Sequence, residues 1–435
     1  KMSPASKSDL GYILARLARF VTINNDGEVK NKMLSYDIIN DLRATQNKPL
    51  PQLNRICKHP FYSKNGMLIY TSGYHKKAKT ILELPEKFPM YQINENPSDE
   101  EIVVAKDNIV KVLFRDFIFE TESDQANAVA LFLLFLGRDL VDGPTPMHIV
   151  ESAEFGTGKT LLVESVVKVI SGEAVEESTF PTSEAEVRRQ LLAHLIKKPE
   201  YIFFDNLGDD YRLASAELAQ MLTGTMKSGR ILGQSKIVDI AINLIWVTSG
   251  VNMNISREIL RRCIRIRLQK TDNYTHRDHL AYVLNNRAEI IWSGLTMIQA
   301  WIAKGCPIPA EKRLRSFDRW AGVFGGILEV AGIPGLLDNQ DSFENSGDPE
   351  FDGYLALVSM WWKEFGNRKI LSRNLIELIN NEQLPIELEG RSDNKRATSL
   401  GYVLRRLKDR KFGDYIIKDA GLRSGRRQWR LTASK

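Results

Sequence analysis

The sequence predicts an α/β protein in which helices cover a parallel sheet. Short apolar segments alternate with helix-like segments between about residues 101 and 300, and such alternation is typical of parallel sheets. The apolar segments are MHIVES (Met147–Ser152), YIFF beginning at Tyr201, and LIWVTS (Leu244–Ser249). The segment TLLVESVVKVI (Thr160–Ile170) has helical periodicity, and a loop with two glycines joins it to the first apolar segment.

Composition is that of an ordinary globular protein. The 435 residues allow about two to four domains, and the hydrophobic content of 43% and charged content of 26% are typical of such proteins. The longest apolar run, Ala128–Leu136, is far shorter than the about 20 residues that cross a bilayer, so it predicts a buried helix. The first residues lack the apolar core of a signal peptide, and we expect a cytoplasmic protein.

Cysteine usage points to a reducing compartment. The three cysteines, Cys57, Cys263 and Cys306, lie far apart and form no C-x-x-C pair. This spacing argues against a disulfide framework and against a zinc site.

Basic residues concentrate near the C-terminus. The net charge is +6, and the segment from Arg391 to Arg430 holds 13 Lys or Arg against 4 Asp or Glu, a local charge of +9. The rest of the chain is therefore slightly acidic. A compact basic segment favours a contact with nucleic acid, and a solvated basic tail is the alternative.

The segment AEFGTGKT (Ala153–Thr160) fits a phosphate-binding loop in which alanine replaces the first glycine. The two glycines let backbone N–H groups turn toward phosphate oxygens, Lys159 would reach the β and γ phosphates, and Thr160 would bind Mg²⁺. The residues that we assign to ATP binding in this loop are Ala153, Gly156, Thr157, Gly158, Lys159 and Thr160.

Two further groups are expected at the same edge of the sheet. Asp205 ends the second apolar segment, and its predicted role is to hold Mg²⁺ together with Thr160; a strand-terminal aspartate that caps a turn is the alternative. After the third apolar segment, Ser249 or Asn252 would orient the attacking water or sense the γ-phosphate. We favour Asn252, and a polar loop without a catalytic role is the alternative.

The group that positions the attacking water is the open question of this site. Asn206 follows the acidic residue, at a position where most such ATPases carry glutamate, and asparagine orients water without accepting its proton. A carboxylate from Glu154 or Glu186 would be a second solution, and absence of hydrolysis is a third. Glu154 is equally well explained as a solvent-facing residue. Glu186 also fits a capping box with Ser183 at the start of a helix predicted over Glu184–Ile196.

Two adjacent arginines follow the third apolar segment. Arg261 and Arg262 lie in SREILRRCIRIRL (Ser256–Leu268), just past the predicted sheet edge. An arginine that reaches the ATP site of a neighbouring subunit would stabilise charge on the transferred phosphoryl group. That role requires a ring, and otherwise these are surface or ion-paired arginines.

The C-terminal segment has the pattern of a winged helix. Helices are predicted over Ser372–Ile379 and Thr398–Arg410, followed by the two strands YIIKDAG and RRQWRLT. The basic residues of the second helix and of the hairpin tip are candidates for DNA contact, and docking of a protein is the alternative. These candidates are Arg405, Arg406, Arg423, Arg426 and Arg427.

Several motifs together resemble those of AAA+ ATPases. More narrowly, the chain looks like the helicase part of primase–helicase proteins carried by phages and mobile elements, which are related to minichromosome-maintenance-type helicases. The resemblance covers about residues 55 to 432, and SFDRWAGVFGGILEVAGIPGLL is its most specific string. The other strings that carry it are GYHKKAKT, FGTGKTLL, SEAEVRRQL, FFDNL, RILGQSKIV, REILRRCIRIRL and RRQWRL.

The resemblance implies roles for further residues. Arg262, with Arg261 beside it, matches the arginine finger, and Arg319, in a helix predicted over Phe317–Leu328, matches the second sensor arginine. The segment GRILGQSKIVDIAI has the pattern of a hairpin, which in the resembled helicases points into the central channel, so Lys236 and then Arg230 would contact the DNA backbone. The sequence departs from the resembled proteins at VTSGVN, where they often read TGNN. This difference affects which residue of the segment is assigned as the sensor.

The resemblance also implies an architecture and an activity. The fold would be an AAA+ P-loop ATPase core with a parallel sheet and a helical lid, plus a small α+β N-terminal domain and a C-terminal winged helix. Asn94–Glu100 is predicted as a linker. The predicted domains are an N-terminal collar (1–100), the ATPase core (101–275), the helical lid (276–365) and the winged helix (366–435).

The implied activity is that of an ATP-dependent DNA helicase or translocase, a homo-hexamer that threads single-stranded or duplex DNA during replication of a phage or mobile element. It would use ATP and Mg²⁺, lie in the bacterial cytosol or nucleoid, and have a primase or polymerase of the same element as a partner. An ATP-binding initiator or scaffold, or a helicase loader, is the alternative.

Overall fold

The chain folds into two compact units. The first contains Lys1–Gly208, Ser215–Asn252 and Ile266–Leu337, and the second contains Asp209–Ala214, Met253–Arg265 and Asp338–Lys435. Within the ranges described, every helix is too short or too polar to cross a bilayer. The computed structural model describes residues 6–32, 34–45, 51–208, 212–230, 237–270, 278–310, 313–346, 349–382, 384, 386, 388–390, 392–423 and 425–433.

The first elements are small and mostly exposed. A capping box between Ser6 and Asp9 starts the first helix, which has no buried residue. The elements are α1 (Lys7–Leu17), β1 (Val21–Ile23), β2 (Val29–Asn31) and α2 (Tyr36–Ala44). Strands β1 and β2 form an antiparallel pair.

Five short strands follow and enclose a small apolar core. They are β3 (Arg55–Cys57), β4 (Phe61–Tyr62), β5 (Leu68–Ile69), β6 (Gly73–His75) and β7 (Thr80–Leu82). Strand β7 lies between β3 and β6, while β4 pairs with β5. The buried side chains of this core are Cys57, Phe61, Ile69 and Leu82.

A helix begins inside the segment predicted as a linker. Helix α3 (Asp99–Asn108) starts there because Ser98 and Glu101 form a capping box, so the linker prediction is wrong for its last residues. A π-helical turn (Ile109–Leu113) and β8 (Ile118–Phe119) come next. Helix α4 (Glu122–Gly137) contains the longest apolar run, and its last twelve residues are buried, which confirms the predicted buried helix.

A six-stranded sheet lies in the middle part of the chain. The elements in chain order are β9 (Met147–Ser152), α5 (Lys159–Ser171), β10 (Glu177–Ser178), α6 (Glu184–Lys197), β11 (Tyr201–Leu207), β12 (Arg212–Leu213), α7 (Ala216–Thr223), β13 (Met226–Arg230), β14 (Ile237–Ala241), β15 (Ile245–Val251), β16 (Asn254–Ile255), α8 (Arg257–Leu260) and β17 (Cys263–Gln269). The strands of the sheet lie in the order β10-β11-β15-β9-β17-β8; neighbours among the first four are parallel, and β8 is antiparallel to β17. The mixed α/β fold with a mainly parallel sheet is thus confirmed.

The register of the central strands decides which side chains meet. In the parallel pairings, Phe204 lies opposite Thr248, and Ser249 lies opposite Val150. The carboxyl ends of β9, β11 and β15 therefore share one edge of the sheet, which is where ligands bind in open α/β sheets.

The segment predicted as the helical lid (276–365) contains five helices among its described residues, and non-helical stretches join several of them. The helices of this segment are α9 (His279–Asn285), α10 (Arg287–Ala303), α11 (Asp318–Val330), α12 (Gln340–Ser346) and α13 (Pro349–Phe365). A 3₁₀ turn (Arg138–Leu140) lies earlier in the chain, directly after α4.

Arg287, at the start of α10, donates from Nε to the carbonyl of Val169 at 2.6 Å and from Nη2 to the carbonyls of Ile170 at 2.7 Å and Lys58 at 2.8 Å. It thus satisfies carbonyl groups at the C-terminal end of α5, and burial lowers its pKa to about 10.

We expect Arg287→Met to lower the free energy of unfolding by about 3 kcal/mol, because two buried carbonyl groups and one partly buried carbonyl group lose a charged donor. Urea denaturation measures the loss. Arg319→Met is the matched control, since the Arg319 side chain is 68% exposed in its ion pair and its removal is expected to cost less than about 1 kcal/mol. Equal losses in the two variants would contradict this role of Arg287.

The C-terminal part contains two helices and a four-stranded antiparallel sheet. The elements are β18 (Ile370–Leu371), α14 (Ser372–Asn381), α15 (Asp393–Arg406), β19 (Lys411–Phe412), β20 (Tyr415–Arg423) and β21 (Arg426–Ala433), with the sheet order β18-β21-β20-β19. Helix α15 starts five residues before its predicted start and ends before Arg410, because Asp409 has a left-handed φ of 64°. Leu375, Leu400 and Trp429 are fully buried in the core of this part. The four-domain division stays a prediction.

Candidate functional site

The segment between β9 and α5 forms a tight glycine loop. Gly156 and Gly158 have φ values of 73° and 86°, in the left-handed region that glycine adopts without strain. Helix α5 begins at Lys159, and no side chain caps its N-terminus. The helix therefore presents its first backbone N–H groups at the loop, as an anion site requires.

Lys159 is folded against the loop through neutral oxygens. Its Nζ donates to Ser152 Oγ at 2.8 Å, to the carbonyl of Glu154 at 3.2 Å and to Thr157 Oγ1 at 3.3 Å. Burial lowers the pKa of Lys159, and the negative charge of Asp205 opposes that effect. An ammonium group whose hydrogen bonds all go to neutral oxygens gains from pairing with an anion such as a phosphate.

The polar residues at the ends of the strands make one oxygen cluster. Thr160 Oγ1 donates to the carboxylate of Asp205, at 3.0 Å from Oδ1 and 3.2 Å from Oδ2. Ser249 Oγ also donates to Asp205 Oδ1. A carboxylate with two hydroxyl groups offers the hard oxygen donors that Mg²⁺ prefers, so these residues fit that ion.

Asn206 occupies a backbone position that suits asparagine. The pairing of β11 with β15 is irregular between Phe204 and Leu207, and Asn206 has a φ of 53° within this bulge. Its N–H donates to Ser249 Oγ at 3.2 Å, while its side chain is exposed. Asparagine tolerates the left-handed region better than most residues, whereas a glutamate there would be strained by about 1 kcal/mol or more.

The two sensor candidates lie at different places. Ser249 contacts Asp205, whereas Asn252 contacts the start of the glycine loop. Asn252 Nδ2 donates to the carbonyl of Ala153 at 3.3 Å, and its N–H donates to the carbonyl of Ser152 at 3.2 Å. Asn252 thus joins the end of β15 to the loop that follows β9.

Both alternative carboxylates already have cationic partners. Glu154 is mostly exposed, and its Oε2 lies 3.5 Å from Lys270 Nζ. Glu186 Oε2 lies 2.6 Å from Arg189 Nη2 on the same helix. The Glu186 N–H does donate to Ser183 Oγ at 3.3 Å, so the structure shows this half of the predicted capping box, while the Glu186 carboxylate contacts Arg189.

Sequence reasoning missed Glu164 and Ser152. Burial raises the pKa of Glu164, and the negative charges of Glu177 and Asp205 raise it further. Glu164 lies four residues after Thr160 on α5, and this spacing on one helix face was a usable signal. Ser152 accepts a hydrogen bond from the loop lysine, and its position at the end of a buried strand was the corresponding signal.

The structure does not bring Arg319 to the glycine loop. Arg319 Nη1 lies 3.0 Å from Oδ2 of Asp142, which also binds Lys64. Asp142 precedes the start of β9, whereas the loop follows its end, and a strand of six residues is about 20 Å long. The ring of Trp320 contacts His148 near the start of the same strand, which agrees with this placement.

Arg261 and Arg262 lie in the second unit, after the short helix α8. Arg262 donates from Nη1 to the carbonyl of Glu258, and its Nη2 lies 3.8 Å from Glu258 Oε1. Its side chain is partly buried, whereas Arg261 is exposed. Arg262 therefore has a local ion-pair partner within the chain.

The predicted hairpin exists, and its tip falls outside the described residues. Strands β13 and β14 are antiparallel, with Arg230 opposite Ile237. Lys236 lies outside the described residues, and Arg230 is exposed at the end of β13. The base of the hairpin is anchored by buried Glu217, which binds Lys227 of β13 and, at 3.1 Å, Arg188 of α6.

Three of the five C-terminal arginine candidates line one cleft. Arg405 of α15 and Arg426 and Arg427 of β21 line a cleft of about 460 Å³, and Arg373 lines it as well. Arg427 Nη1 also lies 2.5 Å from Asp419 Oδ2. The remaining two are placed apart from this cleft, Arg406 in a neighbouring cleft and Arg423 opposite Arg426 in the hairpin.

Comparison with known proteins finds distant structural similarity. No protein-family model and no curated protein matches the chain. Cch of SCCmec type IV, described as an active helicase, is 14% identical over 95% of this chain and 90% of its own, with a TM-score of 0.38. The A form of the NrS-1 C-terminal region without ligand is 11% identical over 97% and 99%, with a TM-score of 0.40. The X-ray structure of JCV helicase is 14% identical over 54% and 67%, with a TM-score of 0.26. Similarities at this level leave the function to be argued from the chain's own residues.

Proposed function

We propose that this chain hydrolyses ATP at the edge of the sheet where β9, β11 and β15 end. The observation that carries the proposal is the contact of Thr160 with Asp205, which joins the glycine loop to the end of the neighbouring β11. A loop of this sequence, with a lysine held only by neutral oxygens, needs an anionic ligand beside that contact. ATP is the substrate that supplies both the phosphates and the metal ligand.

Each residue then has a defined task. The N-terminus of α5 and the ammonium of Lys159 bind the phosphates, and Ser249 fixes the orientation of the Asp205 carboxylate. Mg²⁺, when bound by Thr160 and Asp205, supplies charge neutralisation at the phosphates. Asn206 orients the attacking water through its exposed amide, since Glu154 and Glu186 are engaged in ion pairs.

We expect Asn206→Gly to lower kcat for ATP hydrolysis about 10-fold to 100-fold, because the amide that aligns water is lost. Glycine is the informative replacement, since it keeps the left-handed φ of 53° without strain. Steady-state turnover measures the effect, and Glu154→Gln and Glu186→Gln are the matched controls, expected near wild-type turnover. Wild-type turnover in Asn206→Gly would remove Asn206 from this role.

The activity that we propose in full is that of an AAA+ DNA helicase or translocase in the replication of a phage or mobile element. Its support is the set of motifs in the sequence, the hairpin β13–β14 whose base Glu217 anchors, and the basic cleft around Arg405. In this proposal six chains form a ring, Arg262 completes the ATP site of the neighbour, and Lys236 with Arg230 contacts the DNA backbone. The C-terminal part acts as a winged helix on DNA, and a primase or polymerase of the same element is a partner.

An ATP-binding initiator, scaffold or helicase loader is the second candidate. The observation that favours it is Asn206, an amide at the position where a carboxylate activates water in most related ATPases. Strand displacement separates the two functions. The helicase proposal predicts that the protein alone displaces a labelled strand from a forked duplex with ATP and Mg²⁺. ATP-dependent DNA binding without displacement would favour the initiator.

A further inference from the structure

Three potential metal ligands meet far from the glycine loop in sequence. Cys57 ends β3, His59 follows it, and Glu200 directly precedes β11. Cys57 and His59 are fully buried, and the ligand atoms of all three residues lie within 4.8 Å of one another. Cys57 Sγ lies 3.8 Å from Glu200 Oε1, and His59 Nε2 lies 2.8 Å from the same oxygen.

The surroundings of His59 fix the orientation of its ring. Nδ1 lies 2.9 Å from the carbonyl oxygen of Pro60, which only accepts hydrogen bonds, so Nδ1 carries a proton. Nε2 is therefore the atom directed at Glu200. A histidine that donates from one nitrogen to a backbone carbonyl and offers the other to a ligand is the usual arrangement around a bound metal.

We propose that Cys57 Sγ, His59 Nε2 and the Glu200 carboxylate bind a Zn²⁺ ion, with water in the fourth position. A sulfur, a nitrogen and an oxygen donor suit zinc and do not suit Mg²⁺ or Ca²⁺, which take oxygen ligands. The Glu200 side chain is 19% exposed, so solvent reaches the cluster at this ligand. The site is separate from the proposed ATP site and does not depend on it.

The sulfur–oxygen distance between Cys57 and Glu200 already fits a zinc site, whereas the nitrogen–oxygen distance between His59 and Glu200 must increase. Tetrahedral zinc with bonds of about 2.3 Å to sulfur and 2.1 Å to oxygen places these atoms about 3.6 Å apart, near the 3.8 Å between Cys57 Sγ and Glu200 Oε1. The nitrogen and oxygen ligands of zinc lie about 3.4 Å apart, so the contact of His59 with Glu200 opens by about 0.6 Å when zinc replaces the proton between them.

Charges balance at the proposed site. Zinc is neutralised by the Cys57 thiolate and the Glu200 carboxylate. The nearby guanidinium of Arg55 is neutralised by Asp139, whose Oδ2 lies 2.7 Å from Arg55 Nη2. Binding releases the thiol proton of Cys57 and the proton shared by His59 and Glu200, and both pass to solvent.

The ion would join distant parts of the first unit. Residues 57 and 59 belong to the small apolar core around β3, and residue 200 precedes the strand that ends in Asp205. Zinc would thus fix the start of β11 to the N-terminal strands. Glu200 lies 141 residues after His59, so cysteine spacing, which argued against a zinc site, gave no sign of this one.

Cobalt substitution tests the proposal on the full chain. The protein is stripped of metal with a chelator and titrated with Co²⁺, and absorption from thiolate-to-cobalt charge transfer is recorded. We expect saturation at a single equivalent per chain in the wild type and in Cys306→Ser, whose cysteine is exposed elsewhere, and loss of the band in Cys57→Ser. His59→Gln should weaken Co²⁺ binding at least about 10-fold.

If Cys57→Ser does not fold, the Co²⁺ titration of the wild-type protein still tests the proposal. Absence of a charge-transfer band in wild-type protein with excess Co²⁺ would overturn the proposal. A band that persists in folded Cys57→Ser, as judged by circular dichroism, would overturn it as well. Zinc in the protein as purified, measured by mass spectrometry of the metal and reduced in His59→Gln, supports it.

Discussion

Asp205→Ala is expected to lower kcat for ATP hydrolysis at least about 100-fold, because the carboxylate proposed to hold Mg²⁺ is lost. Thr160 and Ser249 both donate to this carboxylate, so its removal leaves the hydroxyl groups of two elements without their common acceptor. Steady-state turnover at saturating ATP and Mg²⁺ measures the loss. Binding of a fluorescent ATP analogue should persist through Lys159 and the loop.

Asp142→Ala is the matched control for this variant. Asp142 is an exposed aspartate before the start of β9, paired with Lys64 and Arg319 at the other end of the sheet. We expect its turnover to stay within about two-fold of the wild type, since exposed ion pairs contribute little. Equal losses in the two variants would show that general destabilisation, and not loss of the metal ligand, explains the effect.

Arg262→Ala is expected to lower turnover about 1,000-fold, because the proposed arginine finger stabilises charge on the transferred phosphoryl group. Within its own chain, Arg262 pairs with Glu258 on the short helix α8, and the proposal requires this pair to open in the ring. Arg257→Ala is the control, since it removes an exposed arginine of the same helix. Similar losses in Arg257→Ala and Arg262→Ala would contradict a finger role for Arg262.

Mixing two inactive variants tests whether Arg262 acts between subunits. A ring assembled from equal amounts of Arg262→Ala and Asp205→Ala chains has about one quarter of its interfaces with both residues intact. Those interfaces combine Asp205 of one chain with Arg262 of its neighbour. We expect part of the turnover to return on mixing. No recovery, with mixed assembly shown by mass photometry, would contradict an action in trans.

The sequence predicted the elements of the proposed ATP site that follow strand and helix patterns. β9 and the start of α5 lie within one residue of their predicted bounds, because buried strands and apolar helices have strong periodicity. The meeting of Thr160 with Asp205 then follows from the common edge of parallel strands. Their contact is visible only in the structure, and their catalytic roles stay predictions.

Other parts of the proposed site depend on strand register and backbone geometry, which the hydrophobic pattern of the sequence does not encode. The pairing of β11 with β15 brings Ser249 to Asp205 and leaves Asn252 beside the loop, although both follow the same apolar run. The bulge at Asn206 gives a physical reason for asparagine there, which composition could not supply. The helix that starts at Asp99 was missed because its polar first turn resembles a linker.

ATP turnover by the purified wild-type chain, with and without single-stranded DNA, tests directly whether the protein is a DNA-stimulated ATPase. Lys159→Met, which removes the ammonium and keeps the length of the side chain, is the reference for background hydrolysis. We expect Mg²⁺-dependent turnover that DNA stimulates and that Lys159→Met lacks. Wild-type turnover equal to that of Lys159→Met, with DNA and Mg²⁺ present, would contradict it.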